Sequence, residues 1–125
     1  MVKGHLKDNL AVIIETGKHT LISDVSEQAG GNAEGATPHQ LLEAALAACT
    51  ITTLQMYANR KGWSLKSTDA TVHVESEGEN SEIRRELSFF GELSPEQRQR
   101  LLEIANKCPI HRLLESHIQV KTNLI

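Results

Sequence analysis

Apolar residues recur at helical spacing through one long stretch of the chain, Thr37–Trp63. The stripe comprises Leu41, Leu42, Ala45, Leu46, Ala48, Cys49, Ile51 and Leu54. This period predicts a helix with a broad apolar face. Thr37 and Gln40 have the spacing of a capping box, and Pro38 suits the first turn. Gly62 is a plausible stop, so the sequence predicts one long central helix ending there.

Strand patterns occur on both sides of this helix. The segments are Leu10–Glu15, His19–Ser23, Lys66–Ser76, Glu82–Leu93 and Ile118–Leu124. Thr16–Lys18 is expected to turn between the first two strands, and Gly78–Asn80 between the third and fourth. The third and fourth strands are therefore predicted to be antiparallel neighbours with one solvated face. Ser26–Ala36 is a polar, glycine-rich stretch that predicts a loop before the helix.

A second helix is predicted after the fourth strand. Ser94 and Gln97 have capping-box spacing around Pro95, and the helix must end near Cys108 because Pro109 follows. A short turn then begins at Pro109. The resulting order, β-β-α-β-β-α-β, predicts an α+β fold with a segregated antiparallel sheet, built as a single domain over residues 1–125.

Composition narrows the functional classes. The 125 residues carry a formal net charge of −3 with no basic block, which argues against a nucleic-acid surface. The beginning of the chain, MVKGHLKDNL, has no apolar signal region, and no run is expected to span a membrane, so a cytoplasmic protein is expected. With only one Trp, one Tyr and two Phe the core is thin, which makes oligomerisation attractive.

The two cysteines are the residues with the clearest chemical potential. Cys108 precedes a proline that can start a helical turn, where free backbone N–H groups favour a thiolate. Cys49 lies in mid-helix, where no backbone donor is free, so inert packing in the core is an alternative. Cys108 and His111 have the spacing of half a zinc site, but no second ligand pair exists in the sequence, so no metal is expected.

Two segments together resemble the OsmC/Ohr family of thiol-dependent organic hydroperoxide reductases. They are GATPHQLLEAALAACTITTLQMYANRKGW, residues Gly35–Trp63, and LLEIANKCPIHRLLES, residues Leu101–Ser116. The shared features are the Pro-x-x-Leu-Leu start, the Ala-Ala-x-x-Ala-Cys core and the later Cys-Pro. The similarity continues through Asp24 and Gly30-Gly31 and through the hairpin. It is greatest to the OsmC-like branch with a Met-Tyr-Ala-x-Arg-Lys-Gly-Trp ending, here Met56–Trp63.

This resemblance implies an intertwined homodimer and an antioxidant, stress-response function. It implies that Cys49 attacks an organic hydroperoxide and becomes a sulfenic acid, that Cys108 resolves it as a disulfide, and that an external dithiol reductant restores both thiols. No metal or other cofactor takes part.

The chain departs from the family where the reactive thiolate is usually held. Characterised members use an early arginine and a glutamate near the start of the helix, but this chain has no arginine before Arg60 and carries His39 and Gln40 at the helix start. Arg112 is the candidate for the missing charge, with His39 and Gln40 as further supporting candidates and His111 as a weaker one. The missing residues also motivate an alternative: a non-catalytic OsmC-like protein that binds an apolar small molecule in the dimer cleft.

Overall fold

Two separate antiparallel sheets and one long helix form the framework of the protein, which a computed structural model describes over all residues 1–125. The strands are β1 (Lys3–Asp8), β2 (Ala11–Glu15), β3 (Thr20–Ser23), β4 (Ser64–Ser76) and β5 (Glu82–Glu92). The helices are α1 (Pro38–Lys61), α2 (Pro95–Ala105) and α3 (Pro109–Leu114). The α+β class, with antiparallel strands and a long central helix, is confirmed. Backbone contacts divide the chain into two units, Met1–Glu43 and Ala44–Ile125; that the chain is a single domain stays a prediction.

The first unit contains a three-stranded sheet in the order β1-β2-β3. The sequence predicted only two of these strands, because β1 is polar and every one of its residues is exposed. Backbone pairing with β2, from Lys3 opposite Glu15 to Leu6 opposite Val12, defines β1 instead. A buried carboxylate, Asp24, orders the loop after β3 by accepting hydrogen bonds from three backbone N–H groups.

Helix α1 has the predicted capping box. The Gln40 N–H donates to Thr37 Oγ1 at 3.1 Å, and the Thr37 N–H donates to Gln40 Oε1 at 2.9 Å. The helix ends at Lys61, before Gly62, whose φ of 69° lies in the left-handed region that glycine adopts easily.

The same helix corrects one expectation from the sequence. By length and composition, α1 could cross a membrane, contrary to the expectation that no segment approaches that length. Its 24 residues exceed the roughly 20 that a bilayer needs. The core helix of a soluble protein passes the same test, so this finding is weak evidence for a membrane.

In the second unit, β4 and β5 pair over their whole length in an antiparallel hairpin, as predicted. The inward side chains of β5 alternate with exposed ones, so that Ile83, Arg85, Leu87 and Phe89 share one face. Part of α1, the start of β4 and helix α2 enclose a small aliphatic core: Leu54, Ala58, Leu65, Leu101, Ile104 and Ala105. This core anchors the elements that carry both cysteines.

The end of the chain differs from the prediction. Helix α2 has the predicted capping box between Ser94 and Gln97, and a short helix begins at Pro109 as expected. The predicted last strand, Ile118–Leu124, is absent, and its residues are exposed. Its apolar alternation is typical of a strand, but a strand forms only against a partner, and this segment pairs with no other strand of the chain.

Candidate functional site: a pair of neighbouring thiols

The two cysteines, far apart in sequence, meet in the second unit. Cys49 is presented by the middle of α1, and Cys108 occupies the N-cap position of α3. Their thiols lie close enough that each shifts the pKa of the other, and both are free. Cys108 is 0% exposed, whereas Cys49 is partly exposed. A molecule arriving from solvent therefore reaches Cys49 more readily.

Cys108 lies in surroundings that favour its thiolate. Burial opposes its ionisation, but hydrogen bonds from Cys49, the His111 N–H, the Thr50 hydroxyl and the Ile110 N–H together lower the pKa of Cys108. The His111 nitrogen is 3.4 Å from Cys108 Sγ, and Thr50 Oγ1 is 4.0 Å from it. The sequence reasoning that free N–H groups after Pro109 would serve Cys108 agrees with this geometry.

Cys49 is the partner that keeps its proton. Burial is the largest cause that raises the pKa of Cys49, and its hydrogen bond to Cys108 raises that pKa further. The Ile110 N–H and the Thr53 hydroxyl act in the opposite direction without reversing the shift. With one proton removed, the negative charge is therefore favoured on Cys108 and the proton on Cys49.

An arginine that the sequence reasoning did not consider lies next to this pair. Arg85, on the inward face of β5, donates from Nη1 to Thr50 Oγ1 at 3.0 Å and from Nη2 to Asn106 Oδ1 at 3.0 Å. The Thr50 hydroxyl in turn lies 2.7 Å from the Leu46 carbonyl oxygen. Thr50 is fully buried between the guanidinium and Cys108. The sequence did contain a signal for Arg85, because the strand alternation places it at an inward position between apolar residues. A charged residue at such a position points to a specific function more strongly than another apolar residue does.

Two of the supporting residues proposed from the sequence, Arg112 and Gln40, make no side-chain hydrogen bond to the thiols. Arg112 is exposed, and its side chain makes no hydrogen bond or ion pair with either thiol; its backbone N–H donates to the Cys108 carbonyl at 3.1 Å. Gln40 uses its side chain in the capping box of α1. His39 is exposed in the same first turn, which belongs to the other unit. A function of these three residues at the thiols stays a prediction.

A pocket of about 580 Å³ opens beside Arg85 in the second unit. Its apolar wall is formed by Leu46, Ile83, Leu87, Leu102 and Leu114, and its polar wall by Ser81, Glu82, Arg85, Asn106, His111 and Glu115. His111 and Glu115 form an ion-pair contact across one turn of α3. The volume lies in the range of small-molecule sites, and mixed walls of this kind suit an apolar ligand with a polar end.

The fold and the site define a small α+β protein with a paired-thiol centre. The family model described as OsmC-like protein matches residues 30–123. The chain therefore belongs to the OsmC-like family, and the resemblance found in its sequence is confirmed. Among curated proteins, none matches the sequence.

Solved structures with low sequence identity share the fold. An OsmC-like protein from Mycoplasma pneumoniae superposes with a TM-score of 0.76 at 17% identity, over 92% of this chain and 86% of that chain. An organic hydroperoxide resistance protein OsmC from Legionella pneumophila gives 0.64 at 23% identity, over 92% and 88%. An organic hydroperoxide resistance protein from Elizabethkingia anophelis, with thiocyanate bound, gives 0.70 at 21% identity, over 96% and 90%.

Proposed function

We propose that this protein is a thiol-dependent peroxidase that reduces organic hydroperoxides. The observation that carries the proposal is the proximity of the free thiols of Cys49 and Cys108, which raises the pKa of Cys49 and favours the charge on Cys108. Two sulfurs in contact can exchange a proton and then form a disulfide with little movement. The structural relatives described as organic hydroperoxide resistance proteins support the choice of oxidant.

The reaction begins at the partly exposed sulfur. As Cys49 attacks the outer peroxide oxygen, its proton passes to the Cys108 thiolate, the O–O bond breaks, and an alkoxide leaves that takes a proton from water. Cys49 is then a sulfenic acid and Cys108 a thiol. The Cys108 sulfur next attacks the Cys49 sulfur, which forms the disulfide and releases water. An external dithiol supplies two electrons and returns both thiols, so the cycle needs no metal or cofactor. Such a reductant is available in a reducing compartment, which is why we place the protein in the cytoplasm.

The opposite pKa shifts of the two cysteines fit these roles, with Cys49 as the nucleophile and Cys108 as the base that takes its proton. A buried thiolate that no peroxide reaches is a poor nucleophile, but it is a suitable base for the proton of its neighbour. Cys49 gains nucleophilicity only while it gives up that proton. The pocket beside Arg85 is lined by Leu46, three residues before Cys49 on α1, and by neither cysteine; its apolar wall offers a place for the organic group of the hydroperoxide.

The test is consumption of cumene hydroperoxide or tert-butyl hydroperoxide with dithiothreitol as reductant. Cys49→Ser and Cys108→Ser each remove one sulfur, and we expect Cys49→Ser to abolish turnover. Thr52→Ser, at an exposed position of α1, is the matched control and should retain the wild-type rate. Equal rates for wild type and Cys49→Ser would refute the proposal.

A second candidate function is supported by the pocket itself. A non-catalytic protein that binds an apolar small molecule would also use a cavity of about 580 Å³ with leucine and isoleucine walls. The two functions differ in the reactivity of the thiols. If Cys49 in the intact protein reacts with peroxide no faster than free cysteine at neutral pH, while an apolar fluorescent probe binds, the binding function is favoured.

We further propose that the protein acts as a homodimer. Apolar side chains of α1 are exposed in the single chain, Met56 at 65% and Leu42 at 41%, and the apolar residues of the C-terminal segment have no cover. A second copy would bury both surfaces and offer the missing strand partner. Light scattering coupled to size-exclusion chromatography tests the state directly, and a monomer at micromolar concentration would refute the dimer.

A further inference from the structure

Arg85 is a half-buried cation whose hydrogen bonds both go to neutral acceptors. Strand alternation places it between Ile83 and Leu87 on the inward face of β5. Its Nη1 and Nη2 groups each donate at 3.0 Å, to Thr50 and to Asn106 respectively. Because neither acceptor carries a charge, the bonds fix the guanidinium without neutralising it.

The fixed guanidinium is separated from Cys108 by one hydroxyl group. Thr50 Oγ1 accepts from Arg85 and has a single proton to donate, toward the Leu46 carbonyl at 2.7 Å or Cys108 Sγ at 4.0 Å. A thiolate is the stronger acceptor of the two because it is charged. The bond from Arg85 also polarises the hydroxyl and strengthens it as a donor.

Charged and titratable groups lie around Arg85 and the thiols on two elements. Strand β5 contributes Arg85, and α3 contributes His111 and Glu115, which contact each other. Helix α1 contributes the hydroxyls of Thr50 and Thr53 and no charge toward the pair. Burial lowers the pKa of Arg85, and the opposing charges of Cys108, Glu115 and Cys49 raise it. The guanidinium therefore lies within electrostatic reach of both thiols.

We propose that Arg85 is a positioning residue that stabilises the thiolate of the Cys49–Cys108 pair through Thr50, with Asn106 fixing the guanidinium. The inference deepens the proposed peroxidase function, on which its catalytic meaning rests. It accounts for a charged residue on an otherwise apolar strand face and for the buried threonine between the two groups. An arginine is required because one planar guanidinium reaches both acceptors at once, whereas a lysine ammonium presents a single point charge.

The experiment measures ionisation of the thiols without any peroxide. Thiolate absorbance near 240 nm is followed against pH for wild type, Arg85→Gln and Arg85→Lys. The matched control is Arg84→Gln, which changes the neighbouring, exposed arginine that pairs with Glu75. We expect Arg85→Gln to raise the apparent pKa of the first thiol by about one unit, the size of effect of a nearby opposite charge. Arg85→Lys should recover part of the shift, and Arg84→Gln none.

Two further measurements separate this inference from folding and from the proposed function. Circular dichroism identifies a variant that fails to fold, in which case Asn106→Ala, which only frees the guanidinium, should raise the pKa by a smaller amount. Peroxide turnover is recorded separately, so an inactive wild type with an Arg85-dependent pKa would refute the peroxidase and keep the inference. An unchanged first pKa in folded Arg85→Gln, or an equal shift in Arg84→Gln, would overturn it.

Discussion

The Cys49 and Cys108 thiols lie close enough that each shifts the pKa of the other, and their proximity raises the pKa of Cys49 and lowers that of Cys108. This contact makes the pair a single titrating unit with two separated steps. The surroundings are asymmetric, since Cys108 receives backbone donors from the start of α3 while burial raises the pKa of Cys49. The solvent-accessible sulfur, that of Cys49, is thus not the one that carries the negative charge before a peroxide reacts.

The first prediction concerns this two-step titration. Wild-type protein should lose one thiol proton below the ordinary cysteine pKa and the second above it. Cys108→Ala should remove the low step, because the remaining Cys49 still has the raised pKa that burial causes. Cys49→Ala should keep one step, shifted upward, because Cys108 loses a donor. Thiolate absorbance against pH measures all three, and a low step that survives in Cys108→Ala would contradict the assignment.

The second prediction concerns the buried hydroxyl between Arg85 and Cys108. Thr50→Val keeps the shape of the side chain but leaves Arg85 Nη1 without its acceptor. We expect a loss of about 1 kcal/mol in the free energy of unfolding, the usual net contribution of one hydrogen bond, because the half-buried guanidinium can still find water. The low thiol pKa should also rise. Urea unfolding and thiolate absorbance measure the two effects.

Matched variants separate the hydroxyl from the methyl group of Thr50. Thr50→Ser keeps the hydroxyl and should keep the low thiol pKa, at a cost of about 1 kcal/mol for the lost buried methyl. Thr52→Val, at an exposed position two residues along α1, should leave the thiol pKa unchanged. If Thr50→Ser and Thr50→Val raise the pKa equally, the hydroxyl has no function at the thiols.

Much of the fold could be predicted because helix starts and hairpins are encoded locally. The capping residues Thr37 and Ser94 each began a helix as expected, since the reciprocal bonds need only four consecutive residues. Strand β1 could not be predicted, because its polar side chains are exposed and only backbone pairing with β2 defines it. The segment Ile118–Leu124 has the alternation of a strand but no pairing partner in the chain.

The candidate site could be predicted only in part. The positions of Cys49 and Cys108 followed from their motifs, but their contact depends on how α1 and α3 meet in space. Arg112 was proposed as the cation because it is close to Cys108 in sequence, yet a side chain four residues along a helix can point to solvent. Arg85 is 23 residues from Cys108 in sequence (108 − 85), and only the pairing of β4 with β5 brings it to the site.

The third prediction concerns the buried carboxylate of the first unit. Asp24 accepts bonds from the N–H groups of Val25 at 2.7 Å, Asn32 at 3.1 Å and Glu34 at 3.1 Å. Burial alone would raise the pKa of Asp24, but these bonds lower it overall. A lowered pKa means that ionised Asp24 stabilises the fold above the unfolded value of about 3.9 and that this stability is lost as the pH falls through the folded value.

Asp24→Asn should therefore unfold at lower urea concentration near neutral pH. The side-chain NH₂ of asparagine would face backbone N–H donors, and it cannot accept a hydrogen bond from them. Its stability should also depend less on pH in the acid range than that of the wild type. Asp69→Asn, an exposed carboxylate on β4, is the control and should behave as wild type. Parallel pH profiles for wild type and Asp24→Asn would show that the carboxylate charge does not stabilise the loop.

The fourth prediction concerns the C-terminal segment and the proposed homodimer. Ile118, Val120 and Leu124 alternate on one side and are 52%, 84% and 100% exposed in the single chain. If a second copy pairs with this segment as a strand, Val120→Asp puts a charge into the new interface and should weaken dimerisation at least tenfold, while Lys121→Glu, on the opposite side, should have little effect. Sedimentation equilibrium measures both dissociation constants. Equal constants for Val120→Asp and wild type would place the dimer contact, if one is measured, on another surface, such as the exposed apolar face of α1.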